Sequence, residues 1–249
     1  MKIRTDFLRY CHYSFSEGDN LSKHRRRKTA HKGKSFGKIP FFVLILSFAI
    51  FTALLVTAAV HIPQKSGNTV CIDAGHGGYD VGATNGERYE KDDNLHLAKA
   101  VETELKARGI NTIMTRNDDT YVSLEERCKK ANKKKADLFI SLHRNSAESG
   151  CGFEVWILKS APQTDSLLAE NVMKSLDEVG ISKNRGVKSG IAGKGNNYYV
   201  NKNTDMPSCL AEMGFITDDG DNALFDKNLQ SYASAIADAA EATLDEIKN

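Results

Sequence analysis

From residue 69 onward the chain alternates short β-branched apolar runs with longer stretches whose apolar residues recur every three or four positions. The first kind reads as strands, at Thr69–Asp73, Asn111–Thr115, Asp137–Leu142, Gly152–Leu158, Tyr198–Val200 and Ser208–Glu212. Most are continuous apolar runs, as expected of strands covered on both faces. The second kind reads as helices. Leu97, Ala98, Val101 and Leu105 form one stripe, ended by Gly109 where a C-terminal cap belongs. Ser123 and Glu126 make a capping box ahead of a Leu124, Cys128, Ala131 face. A third helix is expected from about Thr164 to Val179, stopping at Gly180, and a last one carries Leu229, Tyr232, Ala233, Ile236, Ala240, Leu244 and Ile247 on one face. The pattern predicts an α/β fold with a sheet of about six strands flanked by helices.

Upstream the pattern changes. Ile39 to Val60 reads IPFFVLILSFAIFTALLVTAAV, with no charge and no polar stripe. A bilayer-spanning helix needs about 20 such residues, so 39–61 is expected to be a transmembrane anchor. Residues 1–38 hold eleven Lys or Arg against three acids, which leaves 23 basic and 29 acidic side chains for everything after them. The positive-inside bias then keeps the basic tail in the cytoplasm and exports the rest. A cleaved signal peptide is the rival, with small residues at Thr57, Ala58 and Ala59, but the apolar stretch is longer than a signal core of about 7–15 residues. Residues 62–68 read as a linker and 69–249 as one catalytic domain. The run Arg25, Arg26, Arg27, Lys28 is taken as a topological signal and not as a nucleic-acid patch, because it adjoins the span. Of the five cysteines, Cys11 lies in the tail and the other four show no metal-binding spacing. They read as small buried hydrophobes, with a Cys71–Cys209 or Cys128–Cys151 bridge as the alternative.

Candidate chemistry gathers at the carboxyl ends of the predicted strands, where open α/β sheets place their ligands. His76 follows the first strand in the turn AGHGG, and His143 ends the strand LFISLH. Each taken alone could be a satisfied core histidine. Two of them, with Gly75, Gly77 and Gly78 permitting close backbone approach, point to a metal. Glu90, opening the segment EKDDNL, is the best third ligand, although the helix dipole also explains a carboxylate there. Asp92 and Asp93 beside it read as a solvated first turn, and His96 as a surface residue. Glu212 sits inside the apolar run SCLAEMGF, where an ionisable group is costly without a partner or a task, and a general base would be placed there. No HExxH signature occurs, so spacing alone does not decide the matter.

The ordered runs VCIDAGHGGYDVGA, GERYEKDDNL, TRNDD, ADLFISLHRNS with GFEV, RGVK and LAEMGFITD resemble the zinc-dependent N-acetylmuramoyl-L-alanine amidases of the Amidase_3 type, from about Thr69 to the C-terminus. The resemblance implies a twisted mixed sheet and hydrolysis of the amide between N-acetylmuramic acid and L-alanine of peptidoglycan stem peptides. It implies zinc on His76, Glu90 and His143, with Glu212 as the catalytic glutamate. Two positions depart from the pattern: Ala74 stands where proline is common, and Arg144 where a small residue is. The Gly180–Arg185 connection is too short for the inserted helix that blocks the zinc in regulated relatives. Arg144, Lys188 and Lys194 are candidate partners for stem carboxylates or the oxyanion, though ordinary surface charge explains each more simply. Asn145 and Asp73 are candidate supports of the site. A zinc peptidase acting within the stem, or a non-catalytic membrane-anchored wall-binding protein, are the alternatives; the second would not need four converging polar groups. Stem-peptide specificity and any activating partner are not legible. Peptidoglycan and, through one N-terminal helix, the cytoplasmic membrane are the expected partners.

Overall fold

The protein is described by a computed structural model covering residues 67–191 and 196–248. The basic tail, the apolar run 39–61, most of the 62–68 linker and Lys194 lie outside these residues. Among the described residues no helix is long and apolar enough to cross a membrane.

Six strands form one mixed sheet in the order β4–β1–β5–β8–β6–β7. β1 (Thr69–Ala74), β4 (Asn111–Met114), β5 (Leu138–Asn145) and β8 (Ser208–Phe215) run parallel. β6 (Phe153–Ile157) pairs antiparallel with β8, and β7 (Asn184–Ser189) runs parallel to β6 at the edge. A two-stranded hairpin, β2 (Thr84–Asn85) and β3 (Arg88–Tyr89), precedes the first helix. The α/β architecture with a mixed six-stranded sheet therefore holds.

Alternation along the strands divides the core in two. Val70, Ile72 and Ala74 of β1 pack with Leu138, Ile140 and Leu142 of β5 under α1 (Glu90–Ala107), α3 (Gln163–Val179) and α5 (Asp219–Lys248). Cys71, Phe139, Trp156 and Leu210 point to the other face, under α2 (Leu124–Lys133) and the short α4 (Tyr199–Asn203). The predicted caps are present. Ser123 and Glu126 close the reciprocal capping box of α2, and Gly109 takes φ 75° just beyond α1. Cys71, Cys128, Cys151 and Cys209 are free thiols, so neither bridge forms.

Three expectations need correction, and one strand was unforeseen. Tyr198–Val200 is not a strand but the start of α4, where three residues are too few for periodicity to separate the two states. Strand β7 was not anticipated, because NRGVKS is polar and half-exposed as an edge strand can be. Arg144 is not a surface charge. It is 2% exposed, pairs with Asp93 at 2.5 Å, donates to Asn222 Oδ1 at 2.6 Å and stacks 4.3 Å from the Phe225 ring centre. Asp93 is accordingly buried, held also by Arg88 at 2.7 Å, and does not belong to a solvated turn.

Candidate metal centre

Each of the four predicted residues comes from a different element. His76 stands in the turn after β1, in a left-handed conformation at φ 59°. Glu90 is the first residue of α1. His143 lies near the end of β5, directly opposite Glu212 of β8 in the sheet register. The structure brings the first three together, with one ligand atom from each falling within 4.8 Å of the others. His143 Nδ1 is 2.8 Å and His76 Nε2 3.2 Å from Glu90 Oε1, and the two rings meet edge to face at 5.0 Å. Gly75 makes this approach possible, since a β-carbon there would fall 2.3 Å from His143 Cε1.

The surroundings fix these groups. His76 Nδ1 is 2.9 Å from Asp80 Oδ1. A carboxylate can only accept, so Nδ1 donates to Asp80, and Nε2, which faces Glu90, is the atom a metal ion would take in place of its proton. Glu90 accepts backbone N–H bonds from Ala83 at 2.8 Å and Arg144 at 3.1 Å. Burial opposes ionisation of Glu90, yet His143 and His76 hold it well below the usual carboxylate range. Burial likewise works to lower the His76 pKa, but Glu90 and then Asp80 outweigh it and raise it to about 9. Two imidazoles gathered round one buried carboxylate form a donor set suited to a divalent metal ion.

Glu212 differs from Glu90. It is 9% exposed, and its Oε2 is a buried side-chain atom with no hydrogen-bond partner. Burial, reinforced by the negative charges of Glu90 and Glu154 and partly offset by His143, raises its pKa to about 7. Its neighbour across the sheet, Glu154, is fully engaged, accepting from Asn145 at 2.8 Å, Trp156 Nε1 at 3.0 Å and Arg185 at 2.6 Å. A cavity of about 470 Å³ opens over His76, Glu90, His143 and Glu212, walled on its apolar side by Tyr121, Leu124, Tyr198 and Tyr199.

Sequence reasoning passed over the groups that brace the site. Arg127 donates to Asp73 at 2.7 Å and to the carbonyls of Ala74 and His76, while Arg116 bonds the carbonyls of Ala74, Gly75 and Lys91. Asp73 is the buried support it was expected to be, accepting also from Thr115 and Ser141. Asn145 acts further out, through Glu154. The run TRNDD already contained Arg116, but an arginine between polar residues looks exposed. Lys188 is half-buried on the edge strand β7, and His96 is exposed on α1 as expected.

The sequence profile of the N-acetylmuramoyl-L-alanine amidase family matches residues 70–242. YqiI of Bacillus subtilis is 38% identical over 184 residues, 72% of this chain and 86% of that protein. The N-acetylmuramoyl-L-alanine amidase LytC of the same organism is 39% identical over 158 residues, and the match spans 62% of this chain but only 31% of LytC. Among solved structures, an N-acetylmuramoyl-L-alanine amidase from Clostridium difficile 630 is 32% identical and superposes with a TM-score of 0.67, covering 73% of this chain and 98% of that one.

Because the guanidinium of Arg127 serves one carboxylate and the carbonyls on either side of Gly75, an ammonium cannot replace it. Arg127→Lys is expected to weaken divalent-metal affinity about 10–100-fold while leaving His76, Glu90 and His143 in place, as read by competition with a chelator. Unchanged affinity in a folded variant would show that the turn needs no such clamp.

Proposed function

The chain belongs to the N-acetylmuramoyl-L-alanine amidase family and hydrolyses the amide between N-acetylmuramic acid and L-alanine of peptidoglycan; we propose that it does so with zinc held by His76, Glu90 and His143 and with Glu212 carrying the proton. The observation behind this reading is that Glu212, whose buried Oε2 has no hydrogen-bond partner, lines the same cavity as the His-Glu-His cluster. Zinc, when bound, supplies a Lewis acid that polarises the amide carbonyl and eases removal of a proton from water.

The chain's own residues do the rest. Asp80 keeps the His76 proton on Nδ1, so that Nε2 faces the cluster. Glu90 adds a negative charge between the two imidazoles. Glu212 takes the water proton on its carboxylate and returns it to the L-alanine nitrogen, which would otherwise leave as a strongly basic anion. A proton carrier has to release what it accepts, and a carboxyl raised by burial does both near neutral pH. Tyr121, Leu124 and Tyr199 narrow the access of bulk water.

Glu212→Gln keeps the side chain's size and removes its basicity. Turnover of peptidoglycan is expected to fall about 10²–10⁴-fold, with one zinc per chain retained by metal analysis. Near wild-type turnover in this variant, or a zinc-free protein prepared without chelator, would overturn the assignment.

The domain works outside the cytoplasmic membrane, held there by residues 39–61. Support comes from the uncharged run and the basic tail before it. The eight residues from His61 to Asn68 extend at most ~3.3–3.6 Å each, so the domain stays within roughly 30 Å of the bilayer and meets membrane-proximal wall. Protease added to intact spheroplasts is expected to digest the domain and spare residues 1–38. Protection of the domain would reverse the topology, and a mature protein beginning near Ala59 or Val60 would replace anchoring by secretion.

A further inference from the structure

From Gly67 on the chain carries 22 basic and 29 acidic side chains, yet five of those 22 are the lysines at 129, 130, 133, 134 and 135. All five are exposed. Placement at a helix C-terminus explains part of this, since cations there complement the dipole, and Lys130 also donates to the Thr115 carbonyl. Lys133 also falls in that last turn, but the dipole does not explain Lys129, and the two repel one another one turn apart. Neither forms an ion pair among the described residues.

Both line an open groove of about 530 Å³ between α2 and α4. Its floor is braced: Asn132 donates to the Asn203 carbonyl at 2.9 Å and accepts from the Asp205 N–H at 3.1 Å. Tyr199 lines this groove and the active-site cavity alike, so the two adjoin across one side chain. Leu124, at the start of α2, belongs to the cavity wall. With a rise of 1.5 Å per residue, Lys129 stands about 7.5 Å and Lys133 about 13.5 Å further along the helix axis.

The substrate has two unlike arms. On the acyl side the lactyl carboxyl is consumed in the amide, which leaves the sugar uncharged. On the amine side runs a peptide with free carboxylates beyond its first residue, each residue advancing ~3.3–3.6 Å. Resting on the amidase reading above, we propose that the stem peptide leaves the cavity past Tyr199 into the α2–α4 groove, where Lys129 and Lys133 receive the carboxylates of its second to fourth residues. Glu125, which also lines the groove, stands one turn before Lys129, next to the part of the peptide that has no carboxylate. The sugar lies on the other side of the metal cluster.

The test uses the full chain loaded with zinc and two soluble disaccharide-peptides, one with free stem carboxylates and one with those carboxylates amidated. For the first substrate, Lys129→Gln with Lys133→Gln is expected to raise KM about fivefold at low salt, with kcat unchanged. For the amidated substrate KM should not move, and the pair Lys134→Gln with Lys135→Gln should change neither. KM unchanged for both substrates, or raised equally for both, overturns the proposal. So does a loss confined to binding of intact sacculi, which would make the lysines a patch for an anionic wall polymer. Absence of any turnover by the wild-type chain would strike the amidase reading and this one with it, whereas turnover with unmoved KM strikes this one alone.

Discussion

The turn that follows β1, and with it the position of His76, depends on two buried guanidinium groups, those of Arg116 and Arg127. A chain leaving the end of a central strand exposes carbonyls that no neighbouring strand can pair, and burying them unpaired is costly. Here the carbonyls of Ala74, Gly75 and His76 are taken by the two arginines, and Arg127 also neutralises Asp73 beneath them. Burial works against the Asp73 charge, but Arg127 and Ser141 keep it below its usual pKa. The turn can then hold His76 in a left-handed conformation against a ring only 5.0 Å away. Arg144 does the corresponding work on the other side, joining Asp93 of α1 to Asn222 and Phe225 of α5 so that Glu90 keeps its place at the helix start.

Within that frame one kind of side chain takes two states. Glu90 and Glu212 are both buried glutamates, but Glu90 sits between two imidazoles and receives backbone N–H bonds, which fix it as an anion. Burial, with nothing donated to Oε2 and two other carboxylates nearby, favours the protonated form of Glu212. The sheet enforces this contrast, because the register sets Glu212 beside His143 on one side and Glu154 on the other. A ligand has to stay charged, while a proton carrier has to change charge. The two environments suit the metal-binding role proposed for Glu90 and the proton-carrying role proposed for Glu212.

Much of this was legible in the sequence, and the parts that were not share a cause. Continuous apolar runs marked β1, β5 and β8 because central strands bury both faces, and His76, His143 and Glu212 stood out as polar groups at or near the ends of those runs, while Glu90 stood out at a helix start. The edge strand β7 and the hairpin β2–β3 had no such signal, being short and half-solvated. The three arginines were misjudged or passed over for a related reason: a buried charge is visible in a sequence only through its partners, and most of these lie 25 to 78 residues away in carbonyl and carboxylate oxygens that the fold brings together. Arg144 carried a usable hint, since it follows five buried residues of β5 and replaces a small residue of the family pattern.

The central claim is that one amide, on the lactyl side of L-alanine, is cut by water. Digesting purified peptidoglycan with the zinc-loaded chain in oxygen-18 water and sequencing the fragments by mass spectrometry tests it directly. The account predicts label in the lactyl carboxyl of the muramic acid fragment and an unlabelled stem peptide with a free L-alanine amino terminus. Label in a peptide carboxyl, with the lactyl amide intact, would contradict it and make the chain a peptidase of the stem.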